Sequence, residues 1–393
     1  MDRIYLDYNA TTPLHPQVLE SMLPYMQGIY GNPSSIHRFG QEAKRGIEEA
    51  REKAARLISA SPQEIVFTGG GTEADNLAIK GVAYLNREKG RHIITSSIEH
   101  YAVLNTCQHL EKEGFRVTYV PVDHFGRVDP EEVKRAITKE TILITIMHSN
   151  NEVGTIQPVE EIGEIARAFG ILFHTDAVQS IGKVPVDVNA LGVDLLSMSA
   201  HKIYGPKGVG ALFIRKGVKV EPLAHGGHHE MNRRAGTENV SGIVGLGKAA
   251  EMALSSLHEK QAAVRSLRDY FWERIEEGIP YVHLNGHPVK RLPNTLHVSF
   301  EFVGGEPLLI NLDLSGIAAS GGSACTSGAL EASHVLVAMG IPEPVGQGSI
   351  RFSLGRETTP EAIDRAVEVL TEAVNRLRSM SPLFADRKRG YNG

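Results

Sequence analysis

The stretch "DLLSMSAHKIYGPKGVGALFIRKG", Asp194 to Gly217, decides the fold. Two apolar runs, "DLLSMS" and "VGALFIR", read as buried strands. Between them stands Lys202, with His201 before it and "YGPKG" after it. A lysine at the end of a buried strand costs free energy unless its charge is paired or put to use.

Working outward, similar runs recur: "EIVFTG" from Glu64, "HIITSS", "RVTYVPV", "ILITIMH" and "GILFHTD", all short and rich in Ile, Val and Leu. Helical stretches separate several of them. One places Ala74, Leu77, Ala78, Gly81, Val82 and Leu85 on a single face, and another is "PVEEIGEIARAFG". Apolar strands alternating with amphipathic helices indicate an α/β fold whose mainly parallel sheet is covered on both faces.

After about Leu257 the rhythm changes. A long charged helix, "LHEKQAAVRSLRDYFWERIEEG", opens a second region, followed by the strand "TLHVSF", a small-residue loop "SGGSACTSGALEASH" and the strand "GSIRFSL". A last helix begins with Thr359 as cap and Pro360 in its first turn. Ile363, Ala366, Val367, Leu370, Val374 and Leu377 line one side of it. A chain of 393 residues exceeds the usual compact domain, so one large and one smaller domain are expected.

Composition narrows the function. A net charge of −5 argues against general nucleic-acid binding, and the basic "DRKRG" near the end reads as a solvated tail. No apolar stretch reaches the ~18 residues of a membrane span, so no membrane partner is expected. The opening "MDRIYLDYNATT" lacks signal-peptide sections, and two cysteines make no disulfide framework. A cytoplasmic protein with reduced thiols is the expectation.

Polar residues cluster where these strands end, the edge at which open α/β sheets bind ligands. "FTGGGTEADN" sets Gly69, Gly70, Gly71 and Thr72 between strand and helix. That turn either presents N–H groups and a hydroxyl to an anion or is a tight turn capped by Thr72. "FHTDAVQS" offers Asp176 and Gln179, with Asp176 fit to pair with a protonated ring nitrogen or in a structural ion pair. "SIEHYAVL" offers His100, which reads equally as a structural histidine. "HSNNEVGTIQP" offers Asn150 and Asn151, also fit for an Asx-turn. Together, lysine amine, acid, imidazole and anion cradle match the needs of pyridoxal 5′-phosphate, whose aldehyde takes a lysine as a Schiff base.

The chain resembles the NifS/IscS-type cysteine desulfurases, class V aminotransferase-like enzymes of fold type I. The likeness runs from "YLDYNATT" at Tyr5 to "RLR" at Arg376. It rests on "SAHKIYGPKGVG", "RRAGTEN" and "GSACTSG…SHVL", and "HTDAVQSIGKVPVD" with "GGHHEMNRRAGTENV" points to the nitrogenase-linked NifS branch. The resemblance implies a large cofactor-binding domain over 15–257. It also implies a smaller α+β domain from 1–14 and 258–393, carrying a cysteine loop near 321–333.

It further implies roles. Lys202 would bind the cofactor covalently, Asp176 would meet its ring nitrogen, Gln179 its ring hydroxyl, and His100 would stack on the ring and move protons as a catalytic residue. Gly71, Thr72, Ser199 and His201 would hold the phosphate. Thr237 would reach the neighbouring subunit's phosphate, making a homodimer. Asn151 and Arg351, the latter in "SIRFSLGR", would bind the substrate carboxylate. Glycine at 69 and 70, where many relatives have serine or cysteine, leaves the backbone donors of the turn in place.

Cys325 stands among Gly, Ser and Ala, which suits an exposed thiol, whereas Cys107 in "AVLNTCQHLEKEG" reads as core. The resemblance makes Cys325 the acceptor of sulfur from L-cysteine, with L-alanine as the other product. The ending "MSPLFADRKRG" resembles the segment by which relatives dock a U-type iron–sulfur scaffold. His225, His228 and His229 lack matching carboxylate or cysteine spacing, so no metal site is expected. The rivals are an aminotransferase or selenocysteine lyase of the same fold, a desulfurase serving general iron–sulfur assembly or tRNA thiolation, and a non-catalytic sulfur carrier.

Overall fold

The structure is a computed structural model describing residues 3–321, 333–382 and 384–385. Strand β1 (Ile4–Tyr5) opens the chain. Then come β2 (Ile65–Thr68), β3 (His92–Ser96), β4 (Arg116–Val120), β5 (Thr141–Thr145), β6 (Leu172–Asp176), β7 (Leu195–Ser199) and β8 (Gly210–Ile214). These last seven form one sheet in the order β2-β8-β7-β6-β5-β3-β4. Every apolar run read as a strand before Leu257 lies in it.

The pairs between β4 and β7 are parallel, whereas β8 runs antiparallel to both β7 and β2. The cause lies in the opening stretch. Only Ala200 to Val209 separate β7 from β8, too short a connection for the crossover that parallel pairing requires. Because β8 reverses, β2 points the same way as β7. The carboxyl ends of β2, β3, β5, β6 and β7 therefore share one edge.

Helices cover the sheet. In Gly71–Asn86, Ala74, Leu77, Ala78, Gly81 and Val82 are buried as the periodicity predicts, but Leu85 is exposed at the last turn. Cys107 is fully buried, and burial pushes its thiol far above the usual range. One apolar core lies between this sheet and the helices Arg38–Leu57, Val159–Phe169 and Val240–Ser255.

A second core joins the helices Leu257–Gly278 and Pro360–Ser379 to a three-stranded antiparallel sheet of β9 (Val282–Asn285), β10 (Thr295–Phe300) and β12 (Ser349–Ser353). Thr359 caps the last helix by accepting the Ala362 N–H at 3.2 Å. The N-terminus belongs to this region: β1 pairs in parallel with β11 (Ile317–Ala318), and Asp7 bridges to Ser353. No helix among the described residues is long and apolar enough to cross a membrane.

Candidate active site

The β2 turn is built on absent side chains. Gly70, not Thr72, is the helix N-cap; its φ of 157° lies at the limit of the positive-φ region that favours glycine. Gly71 follows, and a Cβ there would come within 2.8 Å of Val178 and 3.6 Å of the Ser199 Cβ. Only glycine lets the turn close on the ends of β6 and β7. Gly71, Ser199 and the Asp176–Gln179 corner thus converge, with the helix N-terminus facing them. Thr72 is exposed on the helix's first turn.

Asp176 is buried at the end of β6, and its Oδ1 accepts the Val178 N–H at 2.9 Å. Burial raises its carboxyl above the usual range, while His100, the Val178 N–H and Lys202 pull the other way. A buried carboxylate in that state favours a cation beside it. His100 caps the helix Tyr101–Lys112 by accepting the Ala102 N–H on Nδ1 at 3.1 Å. Its proton then sits on Nε2, and burial holds the ring neutral, lowering its pKa despite Asp176.

The Lys202 amine lies 2.5 Å from the Asn9 carbonyl and 2.8 Å from that of Ala10. His201 meets the Thr11 hydroxyl through Nδ1 at 3.1 Å. Burial first, then Lys202, Lys207 and Lys183, bring its pKa down to about 4. Gln179, buried, donates from Nε2 to the Asn9 carbonyl at 3.0 Å.

The second region supplies the other wall. Arg351, buried on β12, donates to the Asn151 carbonyl at 3.1 Å and to Asp7 at 2.8 Å. Its Nε is buried without a hydrogen-bond partner, a donor left for a ligand. Asn150 makes the Asx-turn, accepting the N–H groups of Glu152 and Val153 on Oδ1. Thr237 stands apart, exposed on the segment before the helix Val240–Ser255. Cys325 lies outside the described residues.

The structure adds residues the sequence reading passed over. Asn9 joins the walls: its Nδ2 donates to Thr295 and the Asn151 carbonyl, and its Oδ1 accepts from Lys183 and Asn294. Lys183, Asp7, Glu99 and Glu152 also surround the site. A lysine set between the apolar residues of "IGKVPV" was the one available signal for Lys183.

These residues fit pyridoxal 5′-phosphate: an anion cradle of backbone donors, a buried acid for a ring cation, and an amine between them. A family profile, aminotransferase class-V, matches residues 4–366. The chain is 55% identical to a cysteine desulfurase IscS of Dictyoglomus turgidum over 379 residues, 96% of each chain. It is 57% identical to one of Methanosarcina thermophila, covering 97% of this chain and 94% of that one. A solved NifS-like protein superposes with a TM-score of 0.90 at 42% identity, over 95% of this chain and all of its own. A second solved chain, SspA in complex with cysteine, gives a TM-score of 0.81 at 41% identity, over 89% of this chain and 98% of its own. The chain belongs to the class-V aminotransferases, and within them to the pyridoxal-phosphate-dependent cysteine desulfurases.

Proposed function

We propose that this site takes sulfur from L-cysteine, releasing L-alanine and leaving a persulfide on Cys325 for iron–sulfur assembly. The observation that carries the reading is the meeting of Lys202, Asp176, His100 and the Gly71–Ser199 cradle at one sheet edge, opposite the open Nε of Arg351. When bound, pyridoxal phosphate supplies an electron sink that makes the substrate Cα–H acidic.

The chain's own residues do the rest. With the cofactor bound, Asp176 would keep a proton on its ring nitrogen, and Gln179 would donate to its ring oxygen. His100 would face the ring as a neutral imidazole with Nε2–H to offer. Gly71, Thr72, Ser199 and His201 would hold the phosphate. Arg351 and Asn151 would orient the substrate carboxylate. The Lys202 amine would anchor the cofactor and serve as the base for the substrate Cα proton. The Cys325 thiolate then forms an S–S bond to the substrate sulfur as the C–S bond breaks. The released electron pair is protonated on carbon, so L-cysteine and the thiol become L-alanine and a persulfide.

Further proposals rest on the same reading. The large domain spans 15–257 and the smaller one 1–14 with 258–393, a division supported by the separate main clusters of the two regions. A smaller cluster nevertheless packs Ile98, Met147 and Val153 against Val335, Leu336 and Met339 across it. A homodimer brings each exposed Thr237 to the partner's phosphate. A U-type scaffold receives the sulfur in the cytoplasm, with nitrogenase maturation as the destination.

The test is turnover with L-cysteine, scoring alanine and sulfide together. Wild type should release both in equal amounts in the presence of a thiol reductant, and Cys325→Ala should release neither. An aminotransferase would keep its rate in the variant, and a selenocysteine lyase would turn L-cysteine over poorly.

A further inference from the structure

Lys183, seven residues after Asp176, plays no part in the chemistry above, yet its amine lies within the same hydrogen-bond network. Its Nζ donates to the Gln179 Oε1 at 2.8 Å and to the Asn9 Oδ1 at 3.0 Å. The Lys202 amine is bound to the same Asn9 through its backbone carbonyl. Both lysines also face one cavity of about 280 Å³, with Tyr8, Tyr204 and Arg356. Two primary amines thus share one asparagine inside the protein.

An ammonium only donates, so the Gln179 atom facing Lys183 must be the amide oxygen. The other end meets the Asn9 carbonyl, which only accepts, so it must be the nitrogen. The Asn9 carbonyl thus sets the orientation of the amide, and Lys183 holds its oxygen end in place. The end of Gln179 left for the cofactor ring oxygen is an N–H donor. With the amide reversed, an oxygen would confront an oxygen.

We propose that Lys183 is a positioning residue, which holds the amide of Gln179 donor-first toward the cofactor and, in its protonated form, sets a like charge beside Lys202. The inference rests on the assignment of Lys202 as the cofactor lysine.

Its electrical consequence has a definite sign. Burial, then Lys202, then Arg351 bring the Lys183 ammonium well below the lysine range. The interaction is mutual, so Lys183 disfavours a proton on the Lys202 nitrogen by the same coupling. The other titratable groups around the pair are Arg351 from β12, the neutral rings of His100 and His201, His15, Tyr8, Tyr204 and Arg356 along the cavity, and Asp176, which acts in the opposite direction on Lys202. A nitrogen kept unprotonated is the nucleophilic form, and a neighbouring cation is a recognised way to obtain it.

The experiment titrates holoenzyme reconstituted with pyridoxal phosphate and follows the visible absorption that reports protonation of the Lys202 linkage. Lys183→Met should raise the midpoint by about one pH unit, as expected for removing a like charge. Lys183→Arg should restore it toward wild type. Should the Met variant fail to fold or to take up cofactor, Lys183→Gln removes the charge while keeping a donor, and it should show the same rise. An unshifted midpoint in a folded, loaded Met or Gln variant overturns the inference and leaves the Lys202 assignment standing. A wild-type protein without the visible band overturns that assignment, and this inference with it.

Discussion

Arg351 and Asp7, 344 residues apart, meet in a buried ion pair at 2.8 Å. Asp7 is further fixed by the Ser320 hydroxyl at 3.1 Å, and Arg351 by the Asn151 carbonyl. The pair thus joins the N-terminal segment to β12 and holds the guanidinium rigid with its Nε still open. On the proposed reading, a substrate carboxylate at that edge meets a guanidinium already desolvated and already held, so little ordering remains to oppose binding.

Arg351→Gln should therefore raise KM for L-cysteine by about 10- to 100-fold, the loss expected for a hydrogen bond to a charged group. The fall in kcat should be smaller. Arg351→Lys should not rescue KM, since a point charge cannot hold Asp7, Asn151 and the substrate in the plane the guanidinium supplies. Steady-state kinetics with L-cysteine checks both variants.

Stability should fall as pH rises from 6.5 to 8. Burial lifts the Glu99 carboxyl to about 8 and that of Glu152 to about 7, in spite of hydrogen bonds from Ser96, Met147 and Ser333. In the unfolded chain these groups ionise near 4.5, so over this window the folded state binds more protons and unfolding becomes easier as they are lost. The buried histidines His92, His148, His174 and His297 have depressed values and act below 6.5, where stability falls as pH drops. Urea midpoints measured across the window should decline for wild type, and Glu99→Gln should flatten the decline.

Arg51 and Glu230 form a bidentate pair, both contacts at 2.8 Å, and Glu230 also accepts the Phe67 N–H at 2.8 Å. This clamp holds three successive non-glycine residues, Glu230, Met231 and Asn232, at positive φ. Such backbone costs about 1 kcal/mol or more per residue. Arg51→Met should destabilise by about 3 kcal/mol or more, because Glu230 is left buried and unpaired. The double variant Arg51→Met/Glu230→Met should recover part of that loss. Denaturant unfolding of the three proteins decides it.

Phe384 is half-buried against two aromatic side chains. Its ring packs on Phe302 at 5.5 Å and Tyr281 at 6.2 Å, with the Arg378 guanidinium 5.7 Å away. Truncation after Ala385 should weaken capture of a U-type scaffold while leaving L-cysteine turnover unchanged. Truncation after Met380 should in addition lower thermal stability, since it strips the Phe384 ring from that cluster. A pull-down with purified scaffold and a melting curve separate the two effects.

The seven strands of the main sheet were legible because each is an apolar run closed by a turn signal, and burial of such runs is a local property of composition. The short β1, β9 and β11 were not. The reversal of β8 follows from a ten-residue connection that can be counted in the sequence. The residues at the strand ends were legible as chemistry without partners: Lys202, Asp176, His100 and the glycines each carried two readings. Leu85 was misread because periodicity gives a face but not where the covering surface stops.

From the sequence alone came the α/β fold, the placement of reactive groups at strand ends, and a family resemblance that names the cofactor. All three depend on residue type and near-neighbour spacing. Tertiary structure alone decided that Asn9 would tie Lys183, Lys202, Gln179 and Asn151 together, and that Asp7 would hold Arg351. Those links span up to 344 residues. Whether two polar groups so distant in the chain meet is set by how the two cores pack, because only burial makes an unpartnered charge costly enough to select its companion.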